Sequence, residues 1–234
     1  MMWGLMFSGQ GTLHAQMLPW IARNEMIDRL EGELGPDWRA DLEMPEKAAQ
    51  NGRAQRVLTA TSCAAWQQLK PLVEPPAIIA GYSVGELAAY GAAEVFDAAE
   101  ALRLAGARAA CMDAAAVGTE TGLLAVSGAE PAALEALRGK HGLGCAICID
   151  AGSVVFGGPR AALRQAAREA EQFGWRATVL QVALASHTRW MAGAVEPFAR
   201  VLDGVPMRAP TCTLFSSSLP RGTKLTTPLM APVP

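Results

Sequence analysis

Ile79-Ala80-Gly81-Tyr82-Ser83-Val84-Gly85-Glu86-Leu87-Ala88 joins a short apolar run, Pro76 to Ala80, to a helix-like run, Glu86 to Ala93. A strand, a serine on a tight turn and a helix in immediate succession are the context that Gly-x-Ser-x-Gly needs to present a nucleophile. The flanking Gly81 and Gly85 let the turn close without Cβ clashes. The hydroxyl of Ser83 is thereby lifted above the sheet edge at a helix N-terminus. Backbone N–H groups there stabilise developing negative charge. The stretch points to covalent acyl chemistry on an α/β scaffold.

Outward from this turn, Trp3–Phe7 reads as a first buried strand, with Ser8-Gly9-Gln10-Gly11 as the turn after it. Helical patterns cover Met17–Asn24, Met26–Leu34, Ala54–Leu72 and Ala98–Ala116. The middle of the chain reads as a separate unit. Strands are expected at Leu123–Val126, Cys145–Ile149, Ser153–Phe156 and Thr178–Val182, and helices at Pro131–Lys140 and Arg160–Phe173. Asp150-Ala151-Gly152 is a hairpin-type turn. The order β-α-β-β-α-β is the ferredoxin-like split pattern. The expected organisation is a discontinuous α/β hydrolase-like domain over 1–118 and 187–215, a small ferredoxin-like subdomain over 119–186, and an irregular Pro- and Thr-rich tail over 216–234.

Half of the 234 residues are hydrophobic and 18% are charged, so a sizeable core is expected. The net charge of −2 carries no basic block, which argues against nucleic acid and anionic membrane surfaces as partners. No apolar stretch approaches the ~20 residues that cross a bilayer, and Met1–Phe7 is too short for a secretory signal. Cytoplasmic localisation is expected. Five scattered cysteines read as core thiols of a reducing compartment. Cys145-Ala146-Ile147-Cys148 matches C-x-x-C but has no second pair and no nearby His, so no metal site is expected.

Ser83 needs a base, and the chain has three histidines. His141 belongs to an expected exposed loop, and His14 reads as the start of the first helix. His187, just after a strand, is the best candidate; its ring nitrogen must come within about 2.6–3.2 Å of the hydroxyl. Asp97 and Asp113 follow the serine in the order of a triad, but both sit in helical surroundings, where capping or solvent exposure is the ordinary role. A Ser–His dyad fits better.

Taken together, Gly9-Gln10-Gly11, Gly81-Tyr82-Ser83-Val84-Gly85-Glu86, Arg108 in Gly106-Ala107-Arg108-Ala109-Ala110-Cys111-Met112, and Ser186-His187 resemble malonyl-CoA:acyl-carrier-protein transacylases in order and spacing. Gly-Tyr-Ser-Val-Gly-Glu, where Gly-His-Ser-x-Gly-Glu is commoner, together with the compact N-terminal half, makes the chain look most like the transacylase (epsilon) subunit of malonate decarboxylase. The resemblance implies an acyltransferase-type large α/β domain with a central, mostly parallel sheet. Ser83 would carry the malonyl ester and His187 would act as base and acid. Gln10 and Val84 would form the oxyanion hole. Arg108 would hold the free carboxylate, with Gln55, Gly9 and Gly11 lining the substrate site. It also implies no bound cofactor, coenzyme A thioester as substrate, and an acyl-carrier protein with a phosphopantetheine-type arm as partner, with other malonate decarboxylase subunits as further partners.

Three departures accompany the resemblance. Tyr82 is one. Asp150–Gly158 replaces a commoner Asn- and Gln-containing pattern. Relatives also continue for several dozen residues beyond Phe215, which implies a C-terminally truncated chain with an incomplete large domain. Two other readings stay open at this point: a serine hydrolase or thioesterase on the same turn, and a shortened, inactive chain.

Overall fold

A computed structural model describes residues 2–11 and 13–216. In chain order the first elements are β1 (Gly4–Phe7), α1 (Glu25–Leu34), α2 (Pro45–Ala48), α3 (Asn51–Leu69), β2 (Ile78–Gly81), α4 (Gly85–Ala92) and α5 (Ala98–Ala115). Then come β3 (Thr121–Ser127), α6 (Pro131–Lys140), β4 (Gly144–Asp150), β5 (Ser153–Pro159), α7 (Arg160–Gln172) and β6 (Arg176–Val179). The last are α8 (Ala192–Asp203) and β7 (Thr213–Phe215). The chain folds as two compact units, divided at Ala109/Ala110 and Pro197/Phe198.

In the first unit, β1, β2 and β7 form a parallel sheet in that order, with Phe7 opposite Gly81 and Ile79 between Leu5 and Leu214. Parallel neighbours cannot be joined by a tight turn, so helical crossovers intervene. Small side chains let those helices pack closely. On α3, Ala54, Val57, Ala60 and Ala64 are buried, and on α4 so are Leu87, Ala88, Ala89 and Tyr90. Ile79, Leu87, Leu102 and Leu104 are almost fully enclosed in the same core. Each contributes roughly 1.5–3 kcal/mol by leaving water.

The second unit carries the antiparallel sheet β4-β5-β3-β6. With α6 and α7 its element order is β-α-β-β-α-β, a ferredoxin-like sheet. Asp150 pairs with Ser153 across a two-residue turn, and the Gly152 N–H donates to Asp150 Oδ1 at 2.8 Å. Leu163, Ala166, Ala167 and Ala170 of α7 recur at helical spacing and are all buried. They pack with Leu124, Val126 and Phe156 in one cluster.

Several expectations change. The Met17–Asn24 pattern is not a helix: Leu18 takes a left-handed φ of 47° and Pro19 follows it. Asn24 instead caps α1, accepting from the Ile27 N–H. Gln68 replaces helical bonding there, accepting from the Ala22 N–H and donating to the Ala22 carbonyl, both at 3.0 Å. His14 is therefore an exposed loop residue and not the start of a helix. His141 is no exposed loop residue: it caps α6, its side chain is 11% exposed, and Nε2 lies 2.8 Å from Glu169 Oε2. Cys145 and Cys148 are exposed rather than core thiols, because β4 is an edge strand interrupted by two register shifts. The last strand of the second sheet begins at Arg176, two residues earlier than expected, and ends at Val179. Beyond Ser216 the expected irregular tail lies outside the described residues.

Candidate active site

Ser83 stands between the end of β2 and the start of α4 with φ 54°, a left-handed conformation that non-glycine residues rarely adopt. The turn is held by Tyr82 N–H to the Phe7 carbonyl, Gly85 N–H to the Tyr82 carbonyl and Glu86 N–H to the Ser83 carbonyl, each 3.0 Å. The two glycines are obligatory for steric reasons. A Cβ on Gly81 would lie 2.4 Å from the Glu86 nitrogen, and one on Gly85 would lie 2.4 Å from the Ser8 carbonyl oxygen. The loop after β1 lies against the same turn: a Cβ on Gly9 would meet the Tyr82 carbonyl at 2.8 Å and Ser83 Cβ at 3.3 Å. Gly11 has open space around its Cα, so this close-approach requirement belongs to Gly9 alone. Gln10, next in the chain, is half-buried; Val84, next to the serine, is buried.

Arg108 projects from α5 to this turn. Its Nη2 donates to Ser83 Oγ at 3.4 Å and its Nη1 donates to Gln55 Oε1 at 2.8 Å. Burial pushes its pKa down and the Glu86 carboxylate opposes that shift. A guanidinium nonetheless stays charged in proteins. Arg103, one turn earlier, pairs with Glu100 at the surface, as expected for the more ordinary of the two arginines. Gln55 is fully buried, and its Nε2 donates to Asn51 Oδ1 at 2.8 Å. Asn51 Nδ2 in turn donates to the Ala109 carbonyl at 3.2 Å. Glu86 accepts from Ser216 Oγ at 3.0 Å. Burial first, and then Glu86, push the nearby Tyr90 hydroxyl up to about 12.

The first unit thus gathers Ser83, Val84, Gln55 and Arg108, with the Gly9 loop against the turn. His187 belongs to the second unit, half-buried, in a turn with φ 60°. Its neighbour Thr188 is buried and donates from Oγ1 to the Ala185 carbonyl at 2.5 Å. A Cβ on Gly157 would lie 2.7 Å from Thr188 Cγ2 and one on Gly144 3.1 Å from Thr188 Cβ, so the histidine turn is seated closely on β4 and β5. Asp97 is a helix cap, its Oδ1 accepting from the Glu100 N–H at 2.7 Å, and Asp113 is exposed. Among the described residues no cluster of three His, Cys, Asp or Glu side chains could hold a metal. No described helix is long and apolar enough to cross a membrane. Sequence reading assigned no role to Asn51, Glu86 or Ser216. The i,i+4 spacing of Asn51 and Gln55 on one helix was the available signal for the first.

A serine on a strained strand–helix turn, faced by an arginine, on a parallel sheet interrupted by a ferredoxin-like insertion, is a layout for moving acyl groups. The chain belongs to the acyl transferase domain family, whose model matches residues 21–227. It is 32% identical over 227 residues to the malonyl CoA-acyl carrier protein transacylase of Mycobacterium bovis, covering 91% of this chain and 73% of that protein. Among solved structures, MCAT from Mycobacterium tuberculosis superposes with a TM-score of 0.78 at 29% identity, covering 97% of this chain and 77% of the other. The acyl-carrier-protein S-malonyltransferase of Burkholderia pseudomallei gives 0.79 at 25% identity, covering 92% and 74%.

Proposed function

We propose that the chain is an acyl-carrier-protein S-malonyltransferase working through a malonyl-serine ester. The observation that carries this reading is the Arg108 guanidinium, 3.4 Å from the Ser83 hydroxyl and oriented by a buried glutamine. A cation at that distance selects an acyl group with a negative charge two carbons from the carbonyl under attack. Arginine suits this role because its planar fork meets a carboxylate with two parallel hydrogen bonds.

Ser83 Oγ attacks the thioester carbonyl of malonyl-CoA while His187 takes the hydroxyl proton. The tetrahedral oxyanion is held by the backbone N–H groups of Gln10 and Val84, each worth roughly 3 kcal/mol in the transition state. The C–S bond then breaks, and the coenzyme thiolate leaves with the proton from His187. A carrier thiol repeats the sequence in reverse and regenerates the free serine. Support for His187 and Gln10 comes from the sequence pattern, and support for Ser83 and Val84 from the geometry of the turn as well. No cofactor enters any step. The Gly-Tyr-Ser-Val-Gly-Glu variant supports a finer reading, that the acceptor is the carrier of a malonate decarboxylase system, whose arm derives from dephospho-CoA.

Radiolabelled malonyl-CoA should label a peptide containing Ser83, and a carrier thiol should remove the label. Absence of label on that peptide overturns the reading. Steady release of free malonate without a carrier makes the protein a hydrolase instead. Arg108→Ala should lower malonyl transfer by about 100-fold or more, the cost of losing a charge-assisted pair, and leave acetyl transfer much less affected. An unchanged preference between the two rejects the carboxylate role. Comparing carriers with a dephospho-CoA-derived arm and a plain phosphopantetheine arm tests the finer reading.

A further inference from the structure

We propose that Asn51 is a positioning residue for acyl selection: it determines which end of the Gln55 amide faces Arg108. The inference rests on the malonyltransferase reading above. The two ends of a glutamine amide are nearly equal in size but opposite in hydrogen-bonding sense. With the NH2 end toward the guanidinium, donors would face donors, and Arg108 would be displaced from the pose it holds beside Ser83.

The bonding sequence leaves one consistent arrangement. A backbone carbonyl only accepts, so at Ala109 Asn51 presents its NH2, at 3.2 Å. That leaves Asn51 Oδ1 toward Gln55, which presents its own NH2 at 2.8 Å. Gln55 Oε1 is then the end that meets Arg108 Nη1, at 2.8 Å. A guanidinium only donates, so the series ends with matched partners. Both fixed ends lie on adjacent residues of α5, Arg108 and Ala109, and the two amides lie one turn apart on α3. Gln55 is fully buried and Asn51 is 7% exposed, so water cannot readily substitute for either contact. Fixing the guanidinium in advance reduces the ordering cost of binding a carboxylate.

The test compares malonyl and acetyl thioesters as acyl donors. Asn51→Ala should raise the malonyl KM about tenfold, the scale of one hydrogen bond to a charged network, and leave the acetyl KM within about twofold. In a Gln55→Met background the same Asn51→Ala change should add nothing further. Equal effects on both donors, or a full malonyl effect persisting without Gln55, overturns the proposal. Asn51→Asp is the second variant. Toward Gln55 a carboxyl oxygen accepts as Asn51 Oδ1 does, protonated or ionised, so this variant keeps the Gln55 amide in its orientation while changing the contact to the Ala109 carbonyl. Its malonyl-to-acetyl ratio should therefore stay within about twofold of the wild-type ratio. A ratio that falls about tenfold in a folded Asn51→Asp protein overturns the proposal even if Asn51→Ala fails to fold. Wild-type protein that never takes up malonyl on Ser83 removes the underlying reading; wild-type protein that does, with an Asn51→Ala ratio like its own, removes this inference alone.

Discussion

Ser83 occupies backbone space that favours glycine, at φ 54°. For an L-residue the left-handed region costs roughly 1–2 kcal/mol, and the surrounding turn sustains that strain in order to present the hydroxyl. Ser83→Gly and Ser83→Ala should both abolish acyl uptake. The glycine variant should nevertheless be the more stable of the two by about 1 kcal/mol in urea unfolding. Equal stabilities would remove the strain argument. Gly81 and Gly85 were legible from the motif alone, and their 2.4 Å collisions give the reason in atoms. Arg108 could be distinguished from Arg103 by its small-residue surroundings. Asn51 and Ser216 were not legible, because each meets another side chain, Gln55 and Glu86 respectively, and has no motif of its own. His141 misled because its partner, Glu169, lies far along the chain on another helix.

Elements with a strong period were legible nearly to the residue. Pro131–Lys140 forms a helix over the expected span, and α7 ends one residue short of it. Met17–Asn24 failed because its apolar spacing imitates a helix while Pro19 and a left-handed Leu18 forbid one. Loop residues there bury apolar surface without helical hydrogen bonds. Asp97 shows how capping resolves an ambiguity that composition leaves open. Its carboxylate bonds to the Glu100 N–H at the first turn of α5, the helix that carries Arg108. Asp97→Ala should cost about 1 kcal/mol of stability and leave kcat unchanged. A collapse of kcat with intact folding would restore Asp97 as a catalytic carboxylate.

At the scale of the whole chain, the cysteines report on the reading of composition. Thiols expected to share a core are spread over a range of exposure, since Cys63 is buried, Cys111 and Cys212 are half-buried, and Cys145 and Cys148 face solvent. Burial pushes the Cys63 thiol up to about 12. Because the thiolate is the reactive form, a disulfide reagent at pH 8 should modify Cys148 and Cys145 first. Cys63 should react only on unfolding, and its early modification would contradict the packing of α3. The α/β class and the ferredoxin-like insertion were legible because helical and strand periods alternate along the chain. The parallel sheet was harder to read, since β7 has only three residues and pairs with a strand more than a hundred positions earlier. That pairing has a consequence for biosynthesis. Residues 110–197 form one uninterrupted stretch that holds every strand of the antiparallel sheet. The sheet beneath Ser83 must wait for residues 213–215. During synthesis all four strands of the antiparallel sheet are therefore available for pairing before the third strand of the parallel sheet has been made.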